Sequence, residues 1–301
     1  MYKYHGFGLS IASEIEFPEL LPADFANADV TIALGKTPDK LETGDIITTA
    51  FSGINSHEYL LNIKDTCRYY ASNGCSIIAE PDAGMDDHSI RLFLLGTIMA
   101  AILYQRGNIP FHASAIVKDG KLTLFAGDSG AGKSTLLAAL ATKGHTIFTD
   151  DICVLQYNAS QDKDVLGTAS YPMIKLWEDA IGQLDSNKYT RDFKIRPQMT
   201  KYGQFFYESF NTQSLPVDKI FVLSPQSSAK EITIKKLDPI PAFKQLEKQA
   251  YKYELIAHTQ LRSMLFTVLS RLAIQADVLE VIRPTDASAV ATLADAIEKL
   301  F

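Results

Sequence analysis

The sequence predicts an α/β protein in which a smaller β-rich N-terminal unit precedes a nucleotide-binding core built on a P-loop. Three observations predict it. Residues 1–85 carry short alternating apolar runs broken by Gly, Pro, Asn and Asp. Gly127-Asp128-Ser129-Gly130-Ala131-Gly132-Lys133-Ser134 matches G-x-x-x-x-G-K-[ST] at every fixed position. A strand-like apolar run leads into that octapeptide, a helix-prone run leaves it, and a further strand-like run ends in Asp150-Asp151.

Composition narrows the function classes. The chain has 301 residues, 47% hydrophobic and 21% charged, the profile of a soluble globular protein with room for one large domain or two ordinary ones. A net charge of -6 argues against a general nucleic-acid binder, which needs a cationic field. Cys67, Cys75 and Cys153 lack metal-ligand spacing and fit a reducing compartment as small buried hydrophobes. The N-terminal residues hold no apolar signal segment. The longest apolar stretch, residues 92–104, falls short of the about 20 residues that a membrane helix needs. A cytoplasmic protein with no nucleic-acid or membrane partner is expected.

The elements follow in order. Strands are expected at Val30–Leu34, Glu58–Ile63 and 76–79. Residues 90–106 read as a buried helix, capped by Asp87 and stopped at Gly107-Asn108. Residues 113–117 and 122–126 read as a hairpin around Asp119-Gly120. A helix at 134–142 stops at Lys143-Gly144, and a strand at 145–148 follows. Residues 173–181 read as a helix around Trp177, and 185–204 as an irregular basic stretch. Strands at 219–223, 231–235 and 278–282 and helices at 241–251, 255–273 and 288–300 complete the chain.

The octapeptide's residue types are those a phosphate cradle needs. Glycines let consecutive amides turn inward into an anion-binding nest, and the next helix adds unpaired N–H groups and a positive dipole end. On this reading Gly127, Asp128, Ser129, Gly130, Ala131, Gly132, Lys133, Ser134 and Thr135 bind the nucleotide. Lys133 serves the β- and γ-phosphates, and the Ser134 hydroxyl ligates Mg²⁺. A tight glycine turn that binds nothing is the competing reading, disfavoured by the strand–loop–helix context.

Asp150 and Asp151 end an apolar run 17 residues after Lys133. A carboxylate there is how P-loop proteins hold the second side of Mg²⁺. Of two adjacent carboxylates, one can face the metal while the other accepts a hydroxyl proton. Their repulsion is expected to raise one pKa unless a metal offsets it. A helix cap or solvated turn is the alternative. His112, just before the strand at 113–117, is a third candidate, weighed against a satisfied buried histidine beside Pro110-Phe111. No Asn-Lys-x-Asp motif follows the loop and no Leu-Ser-Gly-Gly signature is present, which sets aside GTPases and transport ATPases. Small-molecule kinases and protein or peptide kinases remain.

Phe111-His112-Ala113-Ser114-Ala115, Phe125-Ala126 leading into the loop and Thr135, Gly144-His145 and Thr149-Asp150-Asp151 together resemble the HPr kinase/phosphorylase catalytic domain. The version most similar is the HPr kinase-like serine kinase found with lasso-peptide biosynthesis. Its pattern also includes Leu94-Leu95-Gly96, Gln105-Arg106-Gly107, Tyr171-Pro172 with Lys175-Leu176-Trp177, and Arg196-Pro197 followed by Lys201. The likeness spans residues 90–205. It implies a phosphoenolpyruvate-carboxykinase/HPr-kinase-like fold, use of ATP and Mg²⁺, and transfer of the γ-phosphate to a serine hydroxyl. By matched position it implies Asp150 as the base, Asp151 as metal ligand alongside Ser134, and His112 beside the base. It also implies Arg196 and Lys201 as neutralisers of the transferring phosphoryl group. The bifunctional enzyme's C-terminal signature is absent and residues 1–89 do not resemble its regulatory domain, which counts against phosphorylase activity and against HPr as substrate.

The expected division is therefore a β-rich domain at 1–89 and a kinase domain at 90–301. The expected function is ATP-dependent phosphorylation of a serine in a precursor peptide. A small-molecule kinase and a non-catalytic nucleotide-binding regulator are the rivals. The acceptor and the oligomeric state, a homo-oligomer included, stay open.

Overall fold

The alternating runs near the N-terminus pair into one twisted sheet. The structure is a computed structural model, and it describes every residue except 43–46, 50, 158–163, 185–187, 256–258 and 286–289. Nine described strands between Tyr2 and Pro81 form this sheet, among them Leu9–Ser13, Val30–Leu34, Glu58–Ile63, Cys67–Ser72 and Ser76–Pro81. The period of two puts Ile11, Ile32, Tyr69 and Ile77 on one buried face. That face packs against the apolar helical segment Asp87–Gln105, and the Tyr69 hydroxyl donates to the Ile90 carbonyl at 3.1 Å.

Asp86, not Asp87, caps this helix. Its extended backbone (φ -79°, ψ 143°) sets the carboxylate over the Ser89 amide, 2.8 Å away. The middle, Leu94–Ile98, widens into a π-helical turn. At 19 residues the segment is long and apolar enough to cross a membrane by length and composition, beyond the shorter stretch expected from sequence. However, 72% of its most apolar 18 residues are buried inside the protein, as in a core helix. The same hydrophobic cluster continues from the first sheet through this helix into a second sheet.

The second sheet positions the site. Lys121–Ala126, Leu215–Pro225 and Asp277–Arg283 lie parallel, so their C-terminal ends share one edge. Alternate residues face opposite layers. Phe125, Phe221 and Val281 pack under the helices Lys133–Thr142 and Val290–Glu298. Leu124, Ile220 and Val278 pack toward Thr259–Gln275. Ala113–Lys118 pairs with Lys121–Ala126 through a turn at Asp119 (φ 50°) and Gly120 (φ 74°), the two-residue hairpin that Asp-Gly predicts. Thr146–Thr149 then pairs with Ala113–Lys118.

Two expectations need correcting. Residues 173–181 are not one helix. Met173–Trp177 is a strand paired with Lys201–Phe205, and a short helix, Glu178–Gln183, follows. The expected helix at 241–251 is Pro239–Glu247, after which the chain runs beside residues 110–112. The last expected helix, 288–300, is described over Val290–Glu298, and residues 288 and 289 lie outside the described residues.

One buried ion pair ties the first sheet's connection to the core helix: Arg91 Nε lies 2.9 Å from Glu19 Oε1, both side chains 6% exposed. Arg91→Met is expected to destabilise the protein by about 3–5 kcal/mol, because it strands a buried carboxylate, while Glu19→Leu/Arg91→Met recovers most of the loss. Denaturant unfolding of the single and double variants checks this.

Candidate functional site

The glycine-rich loop leaves the strand Lys121–Ala126 at Gly127 and enters the helix at Lys133. Gly127 (φ 140°) passes so close to the next strand that a Cβ would sit 2.6 Å from the Leu223 carbonyl oxygen. Gly132 (φ 96°) starts the helix in the left-handed region. Two cations hold the loop's carbonyls. Lys133 Nζ donates to the Gly127 and Asp128 oxygens at 2.7 and 3.1 Å, and Arg283 Nη2 donates to the Ala131 oxygen at 2.7 Å. Burial lowers the Lys133 pKa, and Asp150 and Asp151 oppose that shift.

The paired aspartates sit on a tight turn closed by Thr149, whose hydroxyl donates to the Ile152 carbonyl at 2.8 Å. Asp151 takes a positive φ of 70°, an uncommon conformation for a non-glycine residue, and this directs the two carboxylates to different neighbours. Asp150 is fully buried. Its Oδ1 accepts from Ser114 Oγ at 2.6 Å and Ser134 Oγ at 2.9 Å, and its Oδ2 accepts from the Lys175 amide at 2.9 Å. Asp151 lines an open cleft of about 240 Å³ with Lys133, Ser134, Thr135 and His112. Its Oδ2 lies 2.8 Å from Lys175 Nζ and its Oδ1 3.6 Å from His112 Nδ1.

The same His112 nitrogen is 2.9 Å from the Asp151 carbonyl. A carbonyl only accepts, so Nδ1 carries the proton, and Nε2 holds the lone pair of the neutral ring. Burial lowers the His112 pKa against the pull of Asp151. For Asp151, burial alone raises the pKa, but Lys175, then His112 and Lys201, outweigh it and hold the carboxyl well below the usual range. The expectation that carboxylate repulsion would raise one of this pair's pKa values is not met for Asp151, because ammonium groups surround it.

The geometry also exchanges the two aspartates' expected surroundings. Asp150, expected as the base, touches Ser134. Asp151, expected as the metal ligand, stands beside His112 and the cleft. Lys201 lines the cleft, with its Nζ 5.5 Å from the centre of the Trp177 ring, and burial lowers its pKa. Arg196 does not line it. Its Nε donates to Ser89 Oγ at 3.1 Å, at the cap of the core helix. Asp128 lies on the loop's other side, against a second chamber with Gln245 and Lys248.

Sequence reasoning gave no role to four contributors. Lys175 binds both aspartates, Ser114 holds Asp150, Arg283 braces the loop, and Gln249 accepts the Gly127 amide at 3.0 Å. A lysine inside the apolar run Met173–Trp177 was the one local signal, since a charge there needs a partner. Together the cleft gathers Lys133, Lys175, Lys201 and Arg283 against Asp151 and Asp179, a local cationic surplus in an acidic protein. Such a cleft suits a polyanion.

No protein-family model matches the chain, and no curated protein matches it. Among solved structures, the HPr(Ser) kinase/phosphatase from Coxiella burnetii is similar at 12% identity and a TM-score of 0.34, over 64% of this chain and 95% of that one.

The low folded-state pKa of Asp151 adds stability that is complete above the ordinary carboxylate range and is lost as pH falls below that range toward the folded-state pKa. Lys175→Met removes the strongest lowering influence. It is expected to cost about 3 kcal/mol at pH 7 and to flatten the acid-side loss of stability. Chemical denaturation of both proteins between pH 7 and about pH 2 measures the difference.

Proposed function

We propose that this chain is an ATP- and magnesium-dependent phosphotransferase that moves the γ-phosphate to a hydroxyl. One observation carries the reading. A glycine-rich loop with its lysine faces two carboxylates, one touching the loop's serine and the other, beside a histidine, open to a cationic cleft.

The donor set fits Mg²⁺. Ser134 Oγ and Asp150 Oδ1 already lie 2.9 Å apart, and no group of three His, Cys, Asp or Glu side chains among the described residues is placed to cage a metal. A hydroxyl and one carboxylate, with the remaining positions left to water and phosphate oxygens, is how Mg²⁺ is commonly held. When bound, Mg²⁺ would neutralise charge on the β- and γ-phosphates. On this reading Asp150 and Ser134 are the metal ligands. Lys133 exchanges its two carbonyl partners for phosphate oxygens. Asp151 accepts the hydrogen bond of the acceptor hydroxyl and takes its proton as the bond to phosphorus acidifies it. His112 and Lys175 fix the carboxylate's orientation, and Lys201 offsets charge on the phosphoryl group. Arg196 has no part in this set.

The finer reading, in which a kinase unit at 90–301 phosphorylates a serine of a lasso-type precursor peptide, is supported by the sequence resemblance over residues 90–205.

Labelled-phosphate transfer from ATP to a serine peptide, run beside free serine and sugar alcohols, tests the proposal. Asp151→Asn is expected to lower kcat by about 10²–10⁴-fold with ATP binding retained. Asp150→Asn and Ser134→Ala are expected to raise the Mg²⁺ concentration needed for half-maximal rate. Transfer by Asp151→Asn at the wild-type rate would refute the assignment of the base. ATP bound without transfer to any acceptor would favour a nucleotide-binding regulator.

A further inference from the structure

The segment that leaves the helix Pro239–Glu247 reaches both halves of the site. The Gln249 carbonyl accepts from the His112 amide at 2.7 Å, Ala250 bridges Phe111, and the Tyr251 amide donates to the Pro110 carbonyl at 2.8 Å. Residues 249–251 thus run as a short antiparallel strap along residues 110–112. The Tyr251 ring packs on the His112 imidazole, with centroids 5.7 Å apart. Its carbonyl receives the Tyr104 hydroxyl at 2.9 Å, and its own hydroxyl closes on Gly96 in the π-helical turn, where a Cβ would lie 3.1 Å away.

One side chain extends this strap to the loop. Gln249, 4% exposed, accepts the Gly127 amide through Oε1 at 3.0 Å. The backbone donor fixes which way its amide is turned. Gly127 is also where Lys133 docks, and its backbone has no freedom to shift toward Leu223. Gln249 therefore holds the hinge of the phosphate loop with its side chain and the histidine beside Asp151 with its backbone.

We infer that Gln249 is a positioning residue that couples the glycine-rich loop to His112, so that the loop's placement and the histidine's are set together. The coupling's use in transfer rests on the phosphotransferase reading, but the coupling itself does not.

Two variants test it. Gln249→Met keeps the side chain's length without the acceptor, and Gln249→Glu keeps an acceptor. Amide hydrogen exchange on the ligand-free protein reads Gly127 and His112 directly. In Gln249→Met, exchange at both amides is expected to rise at least 10-fold, while strand amides in Leu215–Pro225 keep their protection. Gln249→Glu is expected to keep both amides protected. A rise at Gly127 with His112 unchanged, or no rise at either, would overturn the coupling. In the transfer assay Gln249→Met is expected to lower kcat about 10-fold with less than a 3-fold change in the KM for the acceptor. A merely structural role would lower the amount of folded enzyme and leave kcat per folded molecule unchanged, which would equally overturn it. Absence of transfer by the wild type would sink the phosphotransferase reading and leave the exchange result to decide the coupling alone.

Discussion

Lys175 holds both carboxylates of the site, Asp150 through its amide and Asp151 through its ammonium. The amide's position is set by the strand Met173–Trp177, so Asp150 is fixed by backbone geometry. The ammonium instead holds Asp151 through charge. Each charge here is partly or fully desolvated, and each is tolerable only because the others are present. Burial alone would lower the pKa of Lys175, yet Asp151 and Tyr171 outweigh it and keep the side chain charged. The network is thus cooperative: losing one member leaves the others partly buried with fewer partners.

The strand register extends that logic to the cleft wall. Trp177 pairs with Lys201 across the small antiparallel sheet, and Lys175 sits two residues before Trp177, on the same face. A single face therefore delivers Lys175, Trp177 and Lys201 to the cleft. Opposite them, the parallel strands end together, which brings Gly127 and Arg283 to one edge. Ligands of open α/β sheets gather at such carboxyl ends. The cleft is cationic in a chain of net charge -6, so its field is local and attracts an anion only at short range.

Features written in adjacent residues were legible. The loop's glycines, the Asp119-Gly120 turn and the apolar helix declare themselves because local backbone rules dictate them. Lys175, Ser114 and Gln249 did not, because their partners lie 25, 36 and 122 residues away and only the sheet order brings them together. The run at 173–181 misleads for another reason. Five residues of strand followed at once by six of helix leave no span long enough to show either period. The different surroundings of Asp150 and Asp151 were hidden by one dihedral angle. Had residue 151 kept an extended backbone, simple alternation would have decided which carboxylate faces inward.

The Lys133 contacts bear on which anion the loop can select. Its ammonium donates to two carbonyl oxygens and is largely buried. An anion that meets only the helix N-terminus gains amide hydrogen bonds but leaves Lys133 where it is. A longer polyphosphate reaches both the amides and the ammonium, and the charge-assisted bonds it forms offset the two neutral ones given up. On the phosphotransferase reading, the lysine's two carbonyl contacts would favour an anion long enough to reach the ammonium. On that same reading, the preference would separate a triphosphate from inorganic phosphate without any contact to the base or sugar of the nucleotide.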